Sequence, residues 1–445
     1  MPEVPGGDPH PAGAGRLKAL PGLTFGPGRA CRKRRPWKVI GVRAEEETEM
    51  SRPEASSGAP PPHSGSAGYQ IPRRDPAAVH SGAADDASPG EVPWEMVVAL
   101  VDAAILAPSR HNTQPWRFRF EPARQTIDVC ADPARALPVG DPDGRAVHLA
   151  CGAALFNLRL AATVAGRQPV VRLLPDPVQP LLLATVRLAG PCQAAEHEIE
   201  LHAAIAVRRT NRSPFSGQAV PPGVLAELAQ AARAEGAVLH FPDRQETSRL
   251  LRLAQDAERD QLADPAYRGE LGRWAGGERG LEGVPDEAAG PRDPTRATPV
   301  RDFNPARPRP AGYAWFEQEP QLAVLSTLGN TRADWLRAGQ ALERAWLMAT
   351  SRGVAVDPLT QPLETADAWL VRDPRSGSEH PQMILRLGYG LPVPQSPRRP
   401  VRDVLDAPPA DLPTDQRGRS PAGKRPRHTM GRAQTAQPCF HPHAR

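Results

Sequence analysis

Ala107-Pro-Ser-Arg-His-Asn-Thr-Gln-Pro-Trp116 is the stretch on which the reading of this chain turns. Before it, residues 94–107 (WEMVVALVDAAILA) carry only two charges, Glu95 and Asp102, which predicts a buried helix stopped by Pro108. After it, residues 116–120 (WRFRF) alternate as a half-buried strand does, with residues 126–130 as a partner. The junction packs hydroxyl, amide and imidazole groups into one short turn whose backbone is fixed by flanking prolines. Side-chain amides donate and accept at once, as the edge of a heterocycle requires. Taken alone, a helix stop followed by a strand-capping Trp accounts for the turn equally well.

Outward from this stretch the chain repeats itself. Residues 152–165 (GAALFNLRLAATVA) predict a second nearly all-apolar helix, closed by Gly166; residues 339–352 (GQALERAWLMATSR) again run from one glycine to another, Gly353. Set together without gaps, they share Gly152/Gly339, Ala154/Ala341, Leu155/Leu342, Leu160/Leu347, Ala162/Ala349, Thr163/Thr350 and Gly166/Gly353. A second pair, VPWEMVVALVDAA from Val92 and VPPGVLAELAQAA from Val220, recurs in the same order. Short alanine-rich helices can match by chance, but two ordered matches favour duplication. Residues 181–188, 321–325 and 382–387 are further strand candidates. Residues 272–312, dense in Gly, Pro and Arg, interrupt the second half; a loop this long is either disordered or a lid. The aromatics Trp274, Phe303, Tyr313 and Trp315 in or beside it suggest that it packs on something.

Composition bounds the rest. Of 445 residues, 54 are proline, crowded into both ends and the internal stretch. Residues 1–90 and 406–445 lack periodicity and apolar surface enough to offset ordering entropy, so disordered tails are expected around a folded unit of 91–405. The isoelectric point of 9.2 comes from those tails, which leave the core at −1 of a total +5, with no basic footprint for nucleic acid. The run Arg32 to Arg35 reads as solvated charge, with a basic address tag or a weak nucleic-acid arm as the alternatives. Five scattered cysteines without CxxC spacing argue against a disulfide framework or zinc site and fit a reducing cytosol. No apolar run reaches the ~18 residues of a membrane span, and the N-terminus lacks a secretory pattern, so a cytoplasmic protein is expected. Met50 offers an alternative start that would leave residues 1–49 untranslated. There is no GxxxxGK[ST], GxSxG or HExxH, and His197 and His202 stand in a helical context, so no hydrolase or metal centre is indicated.

A second polar cluster, Arg208-Arg-Thr-Asn-Arg-Ser-Pro-Phe215, follows a helical stretch from Glu196. Arginine forks bind phosphate oxygens bidentately and Thr210 can add a hydroxyl, although an ordinary basic loop would look the same. Together the two clusters resemble the nitroreductase family. APSRHNTQPW is similar to the signature that lies against the flavin, and RRTNR to the RRSxR phosphate-binding segment. The helix from Gly339 is similar to the central G-x-A-x-x-x-x-L-x-A helix, Pro358-Leu-Thr-Gln361 to a P-I-x-G-like segment near flavin N5, and residues 384–390 (ILRLGYG) to the late strand. Arg398 and Arg399 stand where a basic pair reaches the phosphate. Duplication and the Pro-rich insertion make residues 92–405 most similar to the Acg-like branch.

The resemblance implies an α+β, nitroreductase-like fold of two related halves, 91–195 and 196–405. It implies one FMN, its phosphate held by Arg208, Thr210 and Arg212 with Arg398 and Arg399. Pro108, Ser109, Asn112 and Gln114 would line the flavin from the other half, with Thr360 and Gln361 near N5. NAD(P)H would deliver hydride and a small-molecule electron acceptor would remove the electrons. Family members are homodimers whose protomers share each site; here the first half has APSRHNTQPW without RRSxR and the second has RRTNR without APS. One chain is therefore expected to act as a monomeric pseudo-dimer, without nucleic acid or membrane. Gln361 replaces the Gly usual near N5, which puts hydride transfer in question. The alternatives are an FMN storage or sequestering protein covered by residues 272–312, and a flavin dehydrogenase acting on peptide azolines.

Overall fold

The computed structural model describes residues 91–275, 280–303, 311–365, 368–372 and 378–406, all within one compact unit, Gly82–Arg445. The expected disordered tails lie outside the described residues, apart from Asp406, whose amide donates to the Phe118 carbonyl.

The first half runs α1 (Trp94–Ala104), β1 (Trp116–Glu121), β2 (Thr126–Ala131), α2 (Arg145–Val164), β3 (Arg167–Leu173) and β4 (Leu182–Pro191). After α3 (Glu196–Ile205), the second half runs α4 (Pro222–Ala234), β5 (Val238–His240), α5 (Arg244–Ala263), α6 (Pro265–Gly272), β6 (Gln321–Thr327), α7 (Arg332–Ser351), β7 (Ala355–Pro358) and β8 (His380–Gly388), with a short α8 (Val401–Val404). Each half builds an antiparallel four-stranded sheet, in the order β1-β2-β4-β3 and β5-β6-β8-β7. With α5 and α6 set aside, the two halves share both element order and sheet order. The expected α+β class is what the chain adopts. Along β1 burial alternates at every residue, the signature of a sheet with one face on the core.

Both central helices start seven residues before the glycine that sequence periodicity suggested. Gly144, with φ of 74°, turns the chain into α2, and the Asp141 carboxylate accepts the Ala146 and Val147 amides at 2.9 and 3.1 Å. Thr331 and Asp334 form a capping box at the start of α7. Gly152 and Gly339 are therefore interior residues, and the reason is their mutual approach. A Cβ on Gly339 would fall 2.1 Å from the Leu149 carbonyl oxygen; one on Gly152 would fall 2.3 Å from that of Leu336. Alanine is better than glycine in a helix by ~1 kcal/mol. Gly339→Ala should nonetheless lower stability, because separating two packed backbones costs about 1–3 kcal/mol. A urea midpoint equal to or above wild type would refute the close crossing.

By length and composition α2 could cross a membrane, but most of it is buried in the protein core. The insertion proves larger than 272–312: β1 and β2 are joined through residues 122–125, whereas β5 and β6 are joined through 241–320. Two helices went unseen because α5 is rich in charge; its buried stripe is only Leu250, Ala254 and Ala257 with two polar residues. Phe303 is buried with Tyr267, Leu271 and Val284. Tyr313 and Trp315, expected to pack, are 70% and 74% exposed, in a surface segment whose Tyr313 bridges Arg292.

Candidate functional site

A cavity of about 420 Å³ opens between the N-terminal part of α2, one side of α7 and the segments that carry residues 108–111, 140–143, 210–212, 301–303 and 357–365. Its size falls in the range of small-ligand pockets. Of the eleven residues singled out in the sequence, five line it: Pro108 and Ser109 from the first half, Thr210, Arg212 and Thr360 from the second. Leu149, Leu342, Trp346 and Met383 add apolar wall. Thr210 reaches its place because its segment lies beside β7: Thr210 bridges Val356, and the Asn211 amide donates to the Val356 carbonyl at 3.0 Å. Phe215 anchors the same segment against Gly388 and Gly390, where an added Cβ would clash with its ring at 2.7 and 2.9 Å. Arg212 donates to the Ala288 carbonyl at 2.8 Å and stacks 5.0 Å from the Phe303 ring.

The other six residues are absent from the cavity wall and hold it from behind. His111, Asn112 and Gln114 all have positive φ (51°, 54° and 51°), a conformation costly for side chains with a Cβ. Hydrogen bonds over-determine it. Asn112 donates to the Gly283 and Pro397 carbonyls at 2.9 and 3.0 Å and accepts from Arg398 at 3.0 Å. Gln114 donates to the Leu281 carbonyl at 2.8 Å and accepts from the Arg399 amide at 2.8 Å, while its own amide donates to Ser109 Oγ. These two side chains tie the loop to the insertion and to the C-terminal segment. Arg398 donates to the carbonyls of Ile105, Leu106 and Ala107, closing the end of α1; burial and the neighbouring Arg208 pull its guanidinium down to about 9. Gln361 is buried and donates to the Pro299 carbonyl. Arg208 is buried behind Trp346, its guanidinium 4.7 Å from that ring and its Nε 3.4 Å from Glu343.

Several cavity residues were not singled out. Arg110 and His111 stand inside the quoted loop itself and could have been chosen. Glu364 gave no signal, because its role depends on Arg110 and Arg301, both remote in sequence. Its Oε2 accepts from Arg110 at 2.7 Å and its Oε1 from Arg301 at 2.9 Å. Tyr267 joins the group through Glu364 at 3.2 Å and through Arg301. Burial alone would raise the Glu364 carboxyl, but the two guanidinia outweigh it and hold it below the ordinary carboxylate range. Burial, helped by Arg110, Arg301 and Arg212, keeps the His111 imidazole neutral. Asp357 pairs with the fully buried Arg386 at 3.1 Å, and burial pushes its carboxyl up.

The profile of the nitroreductase family matches residues 205–389. A Mycobacterium tuberculosis protein provisionally named an NAD(P)H nitroreductase is 35% identical over 322 residues, covering 71% of this chain and 92% of that protein. A second from the same organism, provisionally named NAD(P)H nitroreductase acg, is 32% identical over 324 residues, covering 71% of this chain and 96% of that protein. A solved nitroreductase with bound FMN from Bacteroides fragilis aligns with a TM-score of 0.28 at 16% identity, over 48% of this chain and 97% of that one.

Proposed function

The chain belongs to the nitroreductase family, and we propose that it is an FMN-dependent oxidoreductase passing electrons from NAD(P)H to a small-molecule acceptor, with one site per chain. The observation that carries this reading is one cavity walled by both halves, lined by residues 108–111 of the first and by Thr210 and Arg212 of the second. Its donor set suits the cofactor: the Arg212 guanidinium with the hydroxyls of Thr210 and Ser109 for the phosphate end, and Leu149, Leu342 and Met383 for a planar ring. Pro108, Pro358 and Thr360 would border that ring. FMN bound there supplies the hydride and electron chemistry; the chain holds it, orients it and limits its exposure. Asn112, Gln114, Gln361, Arg398 and Arg399 contribute by fixing the wall. Arg208 contributes to the interior rather than to the phosphate.

Exposed Pro142, Asp143 and Asn330 at the cavity edge leave an opening for a small acceptor, which favours turnover over storage. Shared element order, shared sheet order and the reciprocal Gly152/Gly339 approach support an origin by duplication and a monomer acting as a pseudo-dimer. Pairing Val92 with Val220 puts Glu235 in the place of Ala107. There Glu235 is held between Arg159 and Arg344 at 2.8 and 2.9 Å, an ion pair where a second site would begin. A cytoplasmic setting without nucleic acid is part of the proposal, supported by the near-neutral core.

The test is the visible spectrum of the purified full-length protein, with released flavin identified and counted. One FMN per chain, bleached by NADPH and reoxidised by a quinone or nitroaromatic, is expected. Arg212→Ala should weaken FMN by about ten- to a hundredfold, the loss of one charge-assisted hydrogen bond of about 1.5–3 kcal/mol. A colourless protein that takes up no added FMN would sink the proposal; two flavins per chain would sink the single-site part.

A further inference from the structure

One corner of the cavity has more donors than the protein itself satisfies. Arg110 turns its side chain to the cavity wall and is 7% exposed. Its Nη1 donates to the Gly140 carbonyl, and its Nη2 to Glu364 and, at 3.4 Å, to the Tyr267 hydroxyl. Its Nε is shut off from water and has no hydrogen-bond partner among the described residues. An unmet buried donor on a charged group is costly, so the guanidinium that borders the cavity is left under-compensated by the protein. The local charge agrees. Glu364 serves two guanidinia at once, those of Arg110 and Arg301. Of the other acids nearby, Asp141 accepts the first amides of α2 and Asp357 pairs with Arg386, while the half-buried Glu258 accepts the Asp302 amide and lies near enough to Arg301 to favour its charged form. His111 beside them adds no negative charge, and Phe303 and Trp335 line the same space.

We propose that Arg110, with Arg301 behind the shared Glu364, forms an anion subsite that selects planar acceptors carrying a single carboxylate. This rests on reading the cavity as the flavin and acceptor site. Phosphate offers the same chemistry, so the corner has two conceivable anions: the carboxylate of an acceptor or the phosphate of the cofactor.

Benzoate and benzamide separate charge from shape, and neither needs turnover. Titrated calorimetrically into the full-length, flavin-loaded protein, benzoate should bind at least about tenfold tighter than benzamide, as one charge-assisted hydrogen bond allows. Arg110→Met should bring that ratio towards one. Gly140→Ala changes no charge, but its Cβ would fall 2.5 Å from Arg110 Nη2 and displace the flexible guanidinium, so it should lower the ratio too. Equal binding of the two ligands by the unaltered protein overturns the subsite, whether or not the variants fold. So does a ratio that survives both substitutions. If benzoate binds only flavin-stripped protein and is expelled when FMN is restored, the corner belongs to the cofactor's phosphate and the proposal falls. A protein that never takes up flavin yet keeps the benzoate preference would overturn the flavin reading and leave the subsite standing.

Discussion

Arg208→Ala should cost the fold about 3–5 kcal/mol, because it leaves a buried carboxylate without its partner. Glu343 is 0% exposed, and Arg208 beside it is 4% exposed. Arg208 also donates to the Leu106 carbonyl at 3.0 Å, so its loss opens the end of α1 as well. Burial already pushes the Glu343 carboxyl up, while Arg208 opposes that rise. Without the arginine, Glu343 would take up a proton or draw in water, and either response limits the loss to the lower part of the range. Glu343→Gln in the Arg208→Ala background should therefore recover part of the stability, giving a coupling term in a double-mutant cycle. Urea unfolding of the four proteins at neutral pH measures it. The same experiment bears on the cofactor. If Arg208→Ala keeps its stability but loses FMN, the arginine swings to the phosphate when flavin is bound, and the interior role assigned to it is wrong.

Arg208 also marks the boundary of what sequence patterns could show. The two polar clusters, read as motifs, each supply part of the wall of one cavity. Strand candidates reappear in β1, β2, β4, β6 and β8; β1 alternates residue by residue as a half-buried strand does, whereas β6 and β8 are almost continuous buried runs. The helices were harder. Gly152 and Gly339 looked like starts, since glycine commonly ends periodic segments; their real cause is the contact between α2 and α7, which no single segment contains. The three- and four-residue strands β5 and β7 carry too little pattern to be read alone, and β3 (RQPVVRL) has a proline and no apolar alternation in its sequence to mark it. Both motif-bearing loops contribute to the cavity wall, but the motifs could not assign each residue its face. Asn112 and Gln114 point away from the cavity because three positive-φ residues need fastening, and Arg110 points in because Gly140 leaves room for it. The Arg110–Glu364–Arg301 group draws on three remote segments, so no local pattern could reveal it.

Replacing residues 276–308 with a short Gly/Ser linker should speed both flavin release and flavin reduction, release by about ten- to a hundredfold. The segment supplies Arg301 and Phe303 to the cavity wall, so its removal opens one side to solvent and to NAD(P)H. It also supplies the Gly283 and Leu281 carbonyls that accept from Asn112 and Gln114. Without them the loop holding Pro108 and Ser109 loses its fastening on one side, and residues in the left-handed region can relax away from the cavity. Losing charge-assisted contacts worth about 1.5–3 kcal/mol accounts for the expected change in release. Because the replacement also strips neighbours from Tyr267 and Leu271, a milder variant, Arg301→Gln with Phe303→Ala, keeps the backbone and should move both rates in the same direction by a smaller factor. Stopped-flow bleaching by NADPH gives the reduction rate, and recovery of free flavin fluorescence on dilution gives the release rate. Faster release with unchanged reduction would mean that the insertion steadies the cofactor without screening it. If neither rate moves in either variant, residues 276–308 do not cover the flavin, and the ligand occupies the cavity from the side of Asp143 and Asn330 instead.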